Sequence, residues 1–255
     1  MSWARKGSAL ALVVVMALAL SPDASRGADG DALALVRGMF NQARISFFAK
    51  MKLSAPGGLV REIEVSHAQN GHGSMTYMEI TSPYILKGTR FLSFDNDNAA
   101  DEHFTYVPAV RRSVEVPQWT LEQPFLGSNF YMIDITEPKM DKFSYRSVGE
   151  GEVSGRSCRK VESIPSDSEY PYGRIVYCID PNIWMSVFTE FYDRQGQLLK
   201  VWKPTRLEQV DGVWTPLHQT MEDVQTNTSS EFEVLEIHQH AQFPEQIFTK
   251  AYLDR

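Results

Sequence analysis

Basic charge, cysteine and long apolar runs are all scarce in this sequence, and each shortage closes off a class of function. Twenty-five Lys and Arg stand against 32 Asp and Glu, a formal net charge of −7. So acidic a chain has no electrostatic basis for binding nucleic acid, whose affinity rests on neutralised phosphates, or for adsorbing to an anionic bilayer. Beyond the first thirty residues, no stretch approaches the roughly 18 consecutive apolar residues of a spanning helix. The two cysteines, Cys158 and Cys178, lack the CxxC spacing of a redox pair. "GRSCR" and "LGSNF" fall short of the Gly-x-Ser-x-Gly nucleophile turn, and no phosphate-cradling glycine loop or dinucleotide fingerprint occurs. No enzyme is expected, and no catalytic residue or cofactor is assigned. Of six histidines, His238 and His240 share one strand face with Glu236. With no third His or Cys at ligand spacing, no metal is expected.

The one compact apolar run is "ALALVVVMALAL" (Ala9–Leu20), preceded by Arg5 and Lys6 and followed by small residues. This is the pattern of a cleavable secretory signal peptide, placed at residues 1–27. Its removal takes away Arg5, Lys6, Arg26 and Asp23, leaving a net charge of about −9 by formal counting. The remaining residues, 28–255, suit a single large domain outside the cytoplasm. In that oxidising setting Cys158 and Cys178 are expected to form a disulfide. Their flanks, "SCRKVES" and "GRIVYCI", read as strands around the turn-rich "IPSDSEYPYG". Pairing about residue 168 sets Cys158 opposite Cys178, and Glu162 opposite Arg174, on the outer face.

What is abundant is period-two alternation. After one helical pattern at residues 30–44, with Asp31 as its cap, strand follows strand with short turns between. In "SFFAKMKLSAPGGLVREIEVSH", Phe47, Ala49, Met51 and Leu53 share one face and Ile63 and Val65 continue it. The same register sets Lys50 against Glu64 and Lys52 against Glu62. "VDGV" carries an Asp-Gly hairpin turn. "NFYMIDI" and "HFTYVPAVRRSVEV" read as further strands, and about ten or eleven are counted. Additional helices are expected around Pro117–Leu126 and at "PEQIFTKAYL". A meander of hairpins with few helices favours a curled sheet or barrel.

Six blocks together, "YILKGTRFLSF", "HFTYVPAVRRSVEV", "FLGSNFYMIDI", "EFYDRQGQLLKVW", "GVWTPLHQTMEDVQT" and "FPEQIFTKAYL", resemble the outer-membrane lipoprotein-sorting proteins, a LolA-like family. The resemblance runs from about residue 31 to the C-terminus. It implies a half-open, strongly curled antiparallel β-barrel with helices closing its mouth. It also implies an apolar concavity that takes up acyl chains of a lipoprotein or lipid in the periplasm and passes them toward the outer membrane. A donor transporter in the inner membrane and an outer-membrane acceptor would be its partners. A second reading keeps the concavity but makes it a lipid-sensing or interaction module beside an envelope transporter or regulator. Relatives carry "GSDF" where this chain has "GSNF", so Asn129 replaces an expected acid.

For the cavity wall, the alternation nominates Phe47, Met51, Ile63, Val65 and Phe91, with Tyr106, Val110 and Phe191 beyond them. Arg112 is the odd member. If the strand "TYVPAVRRSVEV" runs unbroken, Arg112 points inward beside Tyr106 and Val110 and holds a headgroup at the rim. If Pro108 marks a bulge, Arg112 lies outside; a further reading pairs its guanidinium with an acid such as Glu122. Arg111 is assigned to solvent, beside Glu115 or the acidic "DNDNAADE" (Asp95–Glu102).

Overall fold

The computed structural model describes residues 22–255 apart from 118, 119, 121 and 137. Most of the expected signal peptide, residues 1–21, lies outside the described residues. From Pro22 the backbone is already helical, and α1 (Pro22–Ala43) begins eight residues before the pattern that predicted it. Asp31 therefore sits inside the helix rather than capping it.

Thirteen strands follow. They are β1 (Phe47–Ala55), β2 (Leu59–Gln69), β3 (Gly73–Ser82), β4 (Arg90–Asn96), β5 (Glu102–Val107) and β6 (Arg112–Glu115), then β7 (Phe143–Val153), β8 (Arg156–Pro165) and β9 (Arg174–Asp180), and finally β10 (Met185–Tyr192), β11 (Leu198–Val210), β12 (Val213–Asp223) and β13 (Thr228–Gln239). They form one antiparallel sheet in the order β6-β5-β4-β3-β2-β1-β13-β12-β11-β10-β9-β8-β7. Two meanders, β1–β6 and β7–β13, are thus joined where β1 pairs with β13. The sheet curls but stays open, with β6 and β7 as its free edges. The chain passes from one edge to the other through residues 116–142, and the described residues 125–133 of that crossover lie over the inner face.

Hairpin geometry follows the sequence closely in places. Lys50 faces Glu64 and Lys52 faces Glu62 across β1 and β2, as their charges suggest. The ion pairs themselves form on the other side, from Lys50 to Glu236 at 2.8 Å and from Lys52 to Glu233. At the β11–β12 turn, Asp211 and Gly212 both have positive φ, +51° and +83°, the conformation an Asp-Gly turn supplies.

The cysteine hairpin differs from its expected register by two residues. Cys178 faces Lys160, and Glu162 faces Val176. The shift is even, so every side chain keeps its face, and both expected contacts survive as diagonal ones. Cys158 and Cys178 are disulfide-bonded with Cα atoms 5.3 Å apart, and Arg174 reaches Glu162 at 3.0 Å. The bridge lies beneath Ile183 and Val187 in a small apolar cluster of its own.

Two expected strands are not single strands. Pro108 cannot continue the ladder, so "HFTYVPAVRRSVEV" folds back: Arg111 takes φ +51° and Val107 pairs with Arg112. "NFYMIDI" makes a bridge from Tyr131 to Pro124 and a 3₁₀ turn at Met132–Asp134. There the Asp134 carboxylate accepts from the Tyr131 N–H at 2.7 Å, a local side-chain bond that competes with a strand ladder. In place of a helix over 117–126, the described residues show short 3₁₀ turns.

Helix α1 buries Ala32, Leu35 and Val36 against Val161 and Ile179 on the inner face of β8 and β9. Gly38 admits the Trp184 ring, with which any Cβ would collide. At the other end, a 3₁₀ turn (Glu245–Phe248) and α2 (Lys250–Leu253) pack Phe248 and Leu253 on the outer face of β4 and β5, against Leu92, Phe104 and Tyr106. Asp254 then accepts from the Ser113 N–H at 2.8 Å, covering part of edge β6.

Candidate functional site

The inner face of the curled sheet is the candidate site. Phe47, Met51, Ile63, Val65, Phe91 and Phe191, six of the residues nominated from alternation, belong to one apolar cluster there. The cluster is completed from an unexpected source, the crossover. Phe125 lies 5.9 Å from Phe91 and 6.5 Å from Phe232, ring centroid to centroid, and Phe130 lies 4.8 Å from Phe232. The crossover therefore occupies the trough. Between Phe91 and Val114 on one side and Phe125, Leu126 and Met132 on the other, a cavity of about 320 Å³ remains. That is near the lower end of small-ligand pockets, which start at about 300 Å³.

Three nominated residues are elsewhere. Tyr106 pairs in register with Arg90, not Phe91, so it faces outward, where the Arg90 guanidinium lies 4.5 Å above its ring. Val110 is 62% exposed in the turn after Pro108. Arg112 is exposed on edge strand β6. The turn at Pro108 resets the alternation, so the face on which Arg112 was counted with Tyr106 and Val110 does not exist.

A cation that does face inward is Arg61. It alternates with Ile63 and Val65 on β2, is buried, and its Nε has no hydrogen-bond partner. A Cβ on Gly127 of the crossover would lie 3.8 Å from its Nη2, so Arg61 sits directly under the crossover. Leu53, its partner on β1, is fully buried. The sequence signal was available: Arg61 continues the apolar alternation that ends in Ile63 and Val65.

A second polar feature pins the crossover to the sheet. Lys200 on β11 and Asp134 on the crossover are both buried, with Nζ to Oδ2 3.7 Å. Tyr172 donates to Asp134 at 2.7 Å, and Lys200 donates to the Tyr172 hydroxyl at 3.2 Å. Burial pushes the Lys200 ammonium down to about 8 and raises the Asp134 carboxyl, while their mutual attraction opposes both shifts. Nearby, Asn129 accepts from Ser230 at 2.7 Å and donates to Thr228 at 2.7 Å. An aspartate in its place would have no donor for Thr228, and this gives Asn129 a structural reason of its own.

Polar groups continue along the inner face toward the start of β1. His67 pairs its Nδ1 with Thr76 at 2.9 Å and its Nε2 with Gln69 at 3.0 Å, and stacks on Phe47 at 5.1 Å. Burial lowers its pKa to about 4, so the ring is neutral. His238 is exposed and bonds to the half-buried Glu236 at 2.9 Å, and His240 turns away at φ +56°.

An open, curled antiparallel sheet with an apolar inner face and a chain segment laid across it defines the LolA-like fold. The same architecture recurs in a domain assigned as an outer membrane lipoprotein-sorting protein from Vibrio parahaemolyticus, with a TM-score of 0.82 and 24% identity over 89% of this chain and 100% of that one. It recurs in a DUF1329 family protein from Desulfovibrio piger (0.80, 20%, 89% and 99%) and in a LolA superfamily protein from Nitrosomonas europaea (0.67, 18%, 87% and 98%). A family model described as "Uncharacterized protein" matches residues 72–255, and the chain belongs to that family. No curated protein matches the sequence. Among the described residues, no helix is long and apolar enough to cross a membrane.

Proposed function

We propose that the protein is a periplasmic carrier: a single domain spanning residues 28–255, exported by a signal peptide at 1–27, that shelters acyl chains of a lipoprotein or lipid and passes them toward the outer membrane. The observation that carries this reading is the inner face itself. An apolar wall contributed by β1–β4 and β9–β13 is covered by a segment rather than by a closed barrel or a second sheet. Lifting the crossover would expose Phe91, Phe191 and Phe232 as one trough, far larger than the 320 Å³ left when it is down. Ligand and crossover would compete for the same apolar surface, which keeps affinity moderate and release feasible. The chemistry is binding and transfer, with no catalytic step.

Arg61 takes the role first considered for Arg112. A guanidinium on the inner face, with Nε unpartnered, matches a carbonyl or phosphate at the head of an acyl chain. Native mass spectrometry of protein purified from an envelope extract without detergent tests the carrier. A co-purified acylated species supports it, while empty protein that also refuses an added acylated peptide rules it out. Arg61→Leu should lower acyl-peptide retention roughly tenfold, the loss of one charge-assisted hydrogen bond, with chemical denaturation unchanged. Unaltered retention would remove Arg61 from the site.

One observation favours the interaction-module reading as well. At the β3–β4 tip, Tyr84 and Ile85 are 93% and 86% exposed, adjacent large apolar side chains suited to docking on a membrane-bound partner. A stable envelope complex without lipid, lost in a Tyr84→Ser/Ile85→Ser variant, would select that reading over the carrier.

A further inference from the structure

The β4–β5 hairpin brings three metal-ligating side chains together at the polar end of the inner face. Asp95, Asp101 and His103 each offer a ligand atom, all within 4.8 Å of one another. Asp95 and His103 are buried, 5% and 4% exposed, and Asp101 is half-buried. Their order in the chain explains the meeting: Asp95 and His103 lie near the facing ends of two paired strands, and the loop between carries Asp101 back over them.

His103 is arranged as a ligand. Its Nδ1 lies 2.9 Å from the Ser93 hydroxyl, and its buried Nε2 has no hydrogen-bond partner. When Nδ1–H donates to Ser93, the lone pair is left on Nε2, the tautomer that a metal takes, with Ser93 as the outer support. Asp101 is oriented too: its Oδ1 accepts from the Asn96 N–H at 2.8 Å and from Lys139 at 2.7 Å.

Two carboxylates in a largely buried setting require compensation, and at Asp101 it comes from a single ammonium, Lys139, which reaches in from the crossover and also bonds the Asn96 carbonyl. A lysine is a point charge on a flexible stem, able to leave.

We infer that Asp95, Asp101 and His103 form a binding site for a divalent first-row cation, with zinc the best match to one imidazole and two carboxylates. Bond lengths near 2.0–2.2 Å place tetrahedral zinc ligands about 3.3 Å apart, so the loop at 97–101 closes by up to about 1.5 Å on binding and Lys139 swings off Asp101. A water completes the shell. The inference does not rest on the carrier reading.

The test is calorimetric titration of chelator-stripped protein with zinc chloride, with cobalt(II) absorption as the geometric readout. One zinc per chain and tetrahedral cobalt bands are expected. Asp101→Asn keeps the oxygen that accepts from Asn96 and should weaken zinc at least tenfold without loss of fold. His103→Gln should do the same, and Lys139→Met should tighten binding by removing the competing charge. Absence of saturable binding overturns the inference. So does zinc binding that survives both Asp101→Asn and His103→Gln, for example at His238. Should His103→Gln fail to fold, Asp101→Asn and Lys139→Met decide, through their opposite signs.

Discussion

Two sets of lysines in this sheet face opposite surroundings. Lys50 and Lys52 stand on the outer face of β1, part-exposed, each with its ammonium against a glutamate of β13. Lys200 is 1% exposed on the inner face, under the crossover, against Asp134 and two tyrosines. The outer pairs raise the lysine pKa through hydrogen bonding to the glutamates, whereas burial lowers that of Lys200. Ion pairs in water select register and contribute little to stability. The buried pair commits the chain: once Asp134 has left water, its partner must be there. The outer pairs thus organise the sheet, and the inner pair decides whether the crossover stays down.

Breaking the inner pair gives the largest effect. Lys200→Met strands Asp134 and should cost about 3–5 kcal/mol, read by urea denaturation at pH 8. Without its cation the Asp134 carboxyl rises further, so the folded state binds a proton more readily than the unfolded one. Part of the loss should therefore return at pH 5 relative to wild type. A loss that is the same at both pH values would mean that Asp134 stays ionised down to pH 5 in the variant. The Lys200→Met/Asp134→Asn double variant should lie closer to wild type than Lys200→Met alone.

His67 gives a smaller, pH-dependent effect. Its folded pKa of about 4 lies below the ordinary histidine value of 6.5, so the unfolded chain takes the proton first. Its contribution is present above pH 6.5 and is lost as the pH falls toward 4, by on the order of 3 kcal/mol for a shift of this size. In His67→Gln the decline over that window should be shallower; an unchanged slope would locate the acid sensitivity elsewhere. Least of all, Lys52→Ala should leave the denaturation midpoint within error of wild type, and a large shift would show that the outer pairs do more than set register.

The strands were legible because alternation is a local property. Lys50, Lys52 and their glutamates marked the first hairpin, and Asp211-Gly212 marked a later one. The cysteine hairpin was legible in part: parity follows from the pattern, but a shift of two preserves parity, so the pattern could not distinguish the register centred on 168 from the one observed. Arg112 and Val110 were misplaced because one proline resets the alternation and a strand pattern cannot show which way the chain then turns. Tyr106 was misplaced because the outer face of β5, one strand in from the sheet edge, is covered by the far C-terminus, a contact 142 residues away in the case of Phe248.

The sequence alone determined the alternation that makes a long antiparallel sheet, the apolar identity of its inner face, and an acidic chain with two cysteines suited to pairing. These depend on side-chain type at a spacing of two. Tertiary structure alone decided that the crossover lies in the trough, that Arg61 and Lys200 are the inward cations, and that Asp95, Asp101 and His103 meet. Each of those depends on which distant segment covers which face, and that is settled by the curl of the whole sheet rather than by any window of the chain.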